Sequence, residues 1–465
     1  MPADDRRKAK GSKERAEMKE FWDVAIIGGG VGGLSAARKC AKAGLKTILF
    51  EADRIGGRAG SVNRKKYIID MGAVYIMIPG KHFMNATKEL GLEDRRIEVN
   101  KKITYRAQGE WHELDFSSYL ALIKSMSRFR LIPLRTKADP RVVKFLLNCV
   151  RVIREFKEDY RSIRKYEDKS AKEVLLNYFD EKTCETVFEP LAETFLFSRL
   201  EETSAGAFMG AIGCFMDQAN KIYYFKKGTG ELADAMEKDL KGSTVKIRRE
   251  KITKVSRKED GFELAAADGK TIRSKTAICA IPLPYLSQIY PGLPEEYLKK
   301  INKIQYPSII SVFCGLKEPV KTFGESHIAC IPEEESESIR FISENTNKSD
   351  KLVPDGKGLL HIFIPPSKSK TLFKRPGKEI SRMVKKELER LLPGIGKTIE
   401  FVEIIRWKHG LRAPTLGSFR LEIEEGTPVK GLFICGDSIM LGLDAVINSG
   451  ETAAELAGKE LKAGL

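Results

Sequence analysis

Residues 23–61 read DVAIIGGGVGGLSAARKCAKAGLKTILFEADRIGGRAGS. Val24 to Ile27 have the apolar, partly β-branched character and the length of a short buried strand, and Gly28, Gly30 and Gly33 close it with the spacing G-x-G-x-x-G. Each glycine has its own reason. The first permits a tight turn, the second lets backbone approach a pyrophosphate, and the third lets the helix that begins there lie close to the sheet. That helix turns its unpaired N–H groups and its positive dipole end toward the phosphates. Lys46 to Phe50 suit the next strand, and Glu51, 18 residues beyond Gly33, stands where a carboxylate accepts from ribose hydroxyls. Glycines alone would fit a turn without a ligand, but strand, helix and acid together specify a dinucleotide. A carboxylate at the ribose suits NAD or FAD and disfavours the 2′-phosphate of NADP.

Further stretches bear on that choice. Arg54-Ile55-Gly56-Gly57-Arg58 follows directly on the acid, and Asp70-Met71-Gly72-Ala73 leads into apolar Val74 and Tyr75. Near the other end, residues 431–456 read GLFICGDSIMLGLDAVINSGETAAEL. Leu432 to Cys435 suit a strand, Gly436-Asp437 a turn, and Asp444 onward a helix whose Ala445, Ser449 and Ala453 recur every four residues, a stripe that lets a neighbour come close. Together these segments resemble the FAD-binding elements of the flavin amine oxidase superfamily, which includes amine oxidases, protoporphyrinogen oxidases, phytoene desaturases and carotenoid isomerases. The likeness covers about 60 residues after Phe21, residues 228–282 and the last 35, and is weaker between.

The resemblance implies an α/β protein with a Rossmann-like FAD-binding domain of the p-hydroxybenzoate-hydroxylase type, built from discontinuous segments, beside a mixed α+β substrate domain. It implies FAD as cofactor, with Gly28, Gly30 and Gly33 at the pyrophosphate and Glu51 at the adenosine ribose. Arg58 would reach a phosphate, and Gly57, Gly72 and Ala73 would run along the isoalloxazine. Backbone at Lys251 matches the adenine contact, where the family commonly has valine. Gly436 and Asp437 match ribityl and phosphate contacts, and Leu443 the amide that meets flavin O2. The expected division is 21–100, 225–285 and 400–465 for the FAD domain, with 101–224 and 286–399 for the substrate domain.

Composition agrees with a large enzyme: 465 residues, 42% of them hydrophobic, suffice for two domains. Eight cysteines from Cys40 to Cys435 lack any C-x-x-C or metal-type spacing and read as buried thiols in a reducing compartment, so no metal is expected. The first twenty residues alternate charges without an apolar signal region and read as a disordered tail. The longest apolar run, residues 205–216, is 12 residues and too short to span a bilayer. A cytoplasmic protein is expected. The net charge of +17 is concentrated, for residues 122–165 hold 13 Lys and Arg against 4 Asp and Glu, giving +9. Within that window Asp139-Pro140 form an N-cap and N1 pair before Val142, Leu146, Cys149, Val150 and Ile153 at helical spacing. A basic amphipathic helix of this kind contacts an anionic membrane, binds an acidic substrate or forms an ordinary solvated face. No aromatic-interleaved or recognition-helix pattern accompanies the charge, which argues against nucleic acid.

Substrate is less legible. Alignment to the family puts Ser311 where amine oxidases carry a lysine that holds a water at flavin N5. It puts Leu416-Gly417-Ser418 and Ile439-Met440 where they carry paired tyrosines. A basic protein also repels cations over long range. Apolar surroundings of Tyr75 suit a hydrophobic or acidic small molecule of isoprenoid, carotenoid or porphyrinogen type, to be desaturated, isomerised or oxidised. The five histidines form no metal or triad spacing. The resemblance places His409, beside Trp407, near the substrate cavity, whereas a hydrogen-bonded structural histidine is the plainer reading. Catalytic residues and oligomeric state are not legible. Other readings are a flavin amine oxidase, a sugar-mutase-like flavoenzyme, and a non-catalytic module like the Rab GDP-dissociation inhibitors, against which the intact glycines, Glu51 and Arg58 argue.

Overall fold

The structure, a computed structural model, describes residues 21–463; the expected tail lies outside them. Phe21–Ile27 is a parallel neighbour of both Thr47–Glu51 and Thr271–Cys279. Val245–Arg249 extends the sheet beyond Thr47–Glu51, and Leu432–Ile434 joins Thr271–Cys279 from the other side. An antiparallel meander, Ile252–Lys258 and Gly261–Ala266, completes seven strands. Strands from the N-terminal, middle and C-terminal stretches thus share one sheet. Its parallel members are buried runs, as a sheet covered on both faces requires.

Two helices pack together at one face. The helix Val31–Lys42 starts at the glycine turn, and the terminal helix Leu443–Ala463 lies across it. Their contact needs glycines: a Cβ added to Gly450 would stand 2.3 Å from the Gly32 carbonyl oxygen, and one on Gly32 would stand 2.9 Å from Gly436 Cα. Ala445, Ser449 and Ala453, the stripe expected from sequence, are all buried.

The second sheet has seven strands in the order Ile399–Trp407, Ile309–Leu316, Gly358–Ile364, Phe341–Glu344, Ala329–Cys330, Lys102–Ala107 and Glu110–Asp115. Alternation divides its faces. Ile310, Val312, Leu360 and Ile362 pack on Ile380, Val384 and Leu388 of the helix Gly377–Leu391. Ile309, Phe341 and Phe363 point the other way, into a core that also takes Tyr75, Met77, Met440 and Ile439. Helices between Tyr119 and Met216 finish that core.

Two expected boundaries differ from the structure. Residues 286–306 pack on the first sheet through Leu286, Ile289, Tyr297 and Ile301 rather than in the second domain. Strand Ile399–Trp407 pairs with Ile309–Leu316, so residues 400–407 belong to the second sheet. Neither segment carries a pattern that says which sheet will receive it, because an apolar face fits any partner of complementary shape.

Candidate cofactor and substrate site

Glycine geometry defines the first half of the site. Gly28 has φ 110°, and a Cβ there would meet the Ala280 carbonyl oxygen at 2.7 Å. A Cβ on Gly33 would lie 1.9 Å from the Gly28 carbonyl oxygen, so this position cannot carry a side chain while the helix meets the strand as it does. Gly30 is different: its backbone is extended, and an added Cβ meets no atom within 4 Å. Gly436 borders similar free space, and a Cβ on Gly57, beside the hydrogen bond from Gly56 N–H to Gly29 O (2.8 Å), would meet Gly30 Cα at 3.8 Å. Together they make a backbone-lined cradle at a helix N-terminus, which suits a pyrophosphate.

Around it the carried-over residues fall as follows. Glu51 Oε2 accepts from Gly29 N–H at 2.7 Å and its Oε1 from Asp53 N–H at 2.8 Å, which fixes the carboxylate at the end of its strand. Lys251 follows two residues after Arg249, the register partner of Glu51, so both stand at the same end of the sheet. Arg58 makes a two-pronged ion pair with Asp437, 2.7 Å on each prong, and also donates to the Gly410 carbonyl. Ala73 N–H bonds to Arg58 O at 2.8 Å, and a Cβ on Gly72 would come within 2.9 Å of that same oxygen. Leu443 opens the terminal helix, whose next residue, Asp444, accepts from Phe83 N–H (2.6 Å) and from the Tyr160 hydroxyl. The early glycines, the Arg58–Ala73 segment and the terminal helix therefore meet at one place, and their donors and free space fit FAD.

On the substrate side, Trp407 Nε1 donates to Met71 O at 2.6 Å, tying the second sheet to the Asp70–Tyr75 segment. Ser311 is buried in register with Phe363 and Ile405. His409 is not the hydrogen-bonded structural histidine of the plainer reading. Neither ring nitrogen has a partner, and the ring stands edge-on to Tyr285 at 4.7 Å, with burial and then Lys408 and Arg58 holding its pKa down.

Beside Tyr75 lies a group that the sequence did not announce. The Tyr75 hydroxyl is 2.9 Å from His327 Nδ1 and 3.4 Å from Ser343 Oγ. His327 Nε2 bonds the Asn100 carbonyl at 2.9 Å, so Nε2 carries the proton and Nδ1 accepts from the tyrosine. Lys348 is 6% exposed, with its ammonium over the rings of Tyr75 (4.8 Å) and Tyr224 (4.6 Å) and no hydrogen-bond acceptor for it. His361 stacks on Phe313 at 4.3 Å, and neither of its nitrogens is hydrogen-bonded. Burial, reinforced by Lys348, pushes both imidazoles down to about 3, and burial pushes the Lys348 amine down to about 8 against Asp70 and Glu344. A lone lysine in NTNKSD and a lone histidine in a strand have no spacing to betray them. Only the pairing of strands brings them together.

A nucleotide-binding α/β domain joined to a second-sheet domain, with the cradle where distant stretches meet, defines a two-domain flavoprotein. Residues 31–457 match the flavin containing amine oxidoreductase family, and the chain belongs to it. It is an FAD-dependent oxidoreductase. It is 23% identical over 377 residues to amine oxidase [flavin-containing] A of Canis lupus familiaris, covering 75% of this chain and 67% of that enzyme. It is also 23% identical over 415 residues to 4,4'-diapolycopen-4-al dehydrogenase of Metabacillus indicus, covering 82% of each. The mammalian amine oxidases it matches are covered over 58–67% of their length. In structure it resembles wild-type putrescine oxidase bound to putrescine, with TM-score 0.72 and 20% identity over 94% of this chain and 98% of that one.

Proposed function

We propose that the protein oxidises, desaturates or isomerises an apolar or acidic small molecule that it meets at a membrane surface. FAD, when bound, supplies a two-electron acceptor for a C–H or C–N bond. Gly28, Gly30 and Gly33 would hold its pyrophosphate and Glu51 its ribose, while Arg58 and Asp437 close the cradle from opposite ends of the chain. Tyr75, Phe341 and Phe363 would exclude water from the reacting carbon, and Trp407 would keep the second sheet in place against Met71.

The observation that carries the membrane reading is the distribution of exposed apolar side chains. Nine large ones are exposed among the described residues, and six of them, Tyr119, Leu120, Ile123, Leu134, Val143 and Leu147, fall between residues 119 and 147. Leu120 and Leu134 are 77% and 80% exposed. Val143 and Leu147 are one turn apart on the helix Pro140–Glu158, and Arg151 continues that line. Exposed Lys124, Arg128, Arg130, Arg135 and Lys144 lie in the same stretch as these side chains, and basic residues beside an apolar patch suit an anionic bilayer. Among the described residues no helix is long and apolar enough to cross a membrane.

Sedimentation of the purified protein with liposomes tests the surface. Binding to anionic vesicles that weakens with salt is expected, and equal sedimentation with neutral and anionic vesicles would reject it. Incubation with a lipid and pigment extract, followed by flavin bleaching and product masses, tests the substrate class. The competing amine oxidase reading, favoured by the mammalian relatives, instead requires bleaching by a simple amine.

A further inference from the structure

Buried donors are ordinarily spent on acceptors, and two at the wall beside Tyr75 are not. The charges nearest Lys348 are already committed. Asp70 takes hydrogen bonds from Ser61 Oγ, Thr229 N–H, Thr229 Oγ1 and the Tyr224 hydroxyl. Glu344 takes them from the backbone of Val320, Thr346 and Leu359 and from the Thr346 hydroxyl. Each carboxylate steadies the ammonium through space, yet neither accepts from it. Two aromatic faces favour the cation without using any of its three donors. Close by, His361 carries a neutral imidazole with its own donor unspent, on the strand Gly358–Ile364 and on the sheet face that bears Ser311, Phe341 and Phe363. That face turns toward the Asp70–Tyr75 segment, as the contacts of Tyr75 with His327 and Ser343 show. The neighbourhood therefore combines an unspent cation and an unspent neutral donor with the apolar side chains of Phe341 and Phe363.

We propose that Lys348, assisted by His361, is the receptor for a carboxylate on an otherwise apolar substrate. This rests on the reading of the site as that of a flavoenzyme for apolar or acidic molecules, and it selects the acidic member of that pair. A carboxylate has lone pairs enough for the ammonium and the imidazole N–H together, and charge-assisted bonds of this kind are stronger than neutral ones. Phe341 and Phe363 would flank the alkyl part.

Calorimetric titration of the FAD-loaded full chain with octanoate, 1-octanol and octylamine tests this, with flavin absorbance near 450 nm recorded on the same samples. Octanoate is expected to bind at least about 10-fold more tightly than 1-octanol, and Lys348→Met to remove that preference while leaving 1-octanol within about twofold. In the wild type the preference should fall between pH 7 and 9.5 as Lys348 loses its proton, the groups facing it being Asp70, Glu344, Tyr75, Tyr224, His327 and His361. Unchanged octanoate affinity in Lys348→Met, equal weakening of all three ligands, or octylamine binding as tightly as octanoate would overturn the assignment. Should Lys348→Met not fold, a preference that stays flat across that pH range in the wild type overturns it equally. Protein that never holds flavin defeats the proposed reaction instead, while the calorimetry still reads the anion preference.

Discussion

Gly30 and Gly33 look alike in sequence and differ in what they permit. At Gly33 any side chain collides with the Gly28 carbonyl, so Gly33→Ala should destabilise the fold by several kcal/mol, beyond the ~1–3 kcal/mol typical of an overfilled core, and a urea titration would read it. At Gly30 the backbone is ordinary and the space is open. Gly30→Val should therefore purify without FAD and unfold at the midpoint of the flavin-free wild type, whereas Glu51→Arg, which also takes the acceptor from Gly29 and Asp53 N–H, should lose FAD with a lowered midpoint; unchanged flavin content in either would contradict the cradle. The spacing of the glycines was readable from the chain, but their division of labour was not, because it depends on what stands opposite each one. The buried histidines make a second residue-level case. Their folded pKa values lie near 3 against an ordinary 6.5, so the unfolded chain binds protons that the folded one refuses. Stability is complete above about pH 6.5 and is lost as pH falls toward 3, at up to about 1.4 kcal/mol per pH unit for each histidine. His361→Phe keeps a ring against Phe313 and should show a shallower loss, checked by urea midpoints at pH 7.5 and pH 5.

At the scale of elements, the helix Pro140–Glu158 was legible in both its start and its inner face. Asp139 caps it by accepting from Arg141 N–H at 2.8 Å, and Val142, Cys149, Val150 and Ile153 are buried as their spacing required. Its outer face was legible only as charge. That Val143 and Leu147 stand exposed beside Leu120, Ile123 and Leu134 depends on how three helices settle on a shared core, which the pattern of one helix does not encode. Leu120→Gln with Leu147→Gln should leave thermal stability within about 0.5 kcal/mol, as surface substitutions do. The same pair should weaken anionic vesicle binding about 10-fold or more, given ~1.5–3 kcal/mol for a fully buried leucine. Vesicle co-sedimentation beside a melting curve separates the two effects. Ser170 and Glu173, in S-x-x-E spacing, cap the helix Ala171–Leu175 through two reciprocal bonds. The second sheet was harder. Its strands read as apolar runs, but their order, which puts His361 and Ser343 side by side, follows from pairing across long intervals of chain.

For the whole molecule, the ion pair of Arg58 with Asp437 joins residues from opposite ends of the sequence. Asp437 is 8% exposed while about a quarter of the Arg58 side chain meets solvent, so removing one partner should cost about 2–3 kcal/mol, short of the figure for a fully sealed pair. Asp437→Asn, Arg58→Met and the double variant, compared by urea midpoints, should give a double loss smaller than the sum of the singles. The family resemblance named both residues and could not show that they grip each other.

The terminal helix is seated on the glycine turn through Gly32 and Gly450 with no room for a side chain. During synthesis, then, the turn that cradles the nucleotide waits for the helix that packs on it, because Gly32 precedes Gly450 by most of the described residues. A nascent polypeptide that has not yet supplied that helix holds an incomplete receptacle.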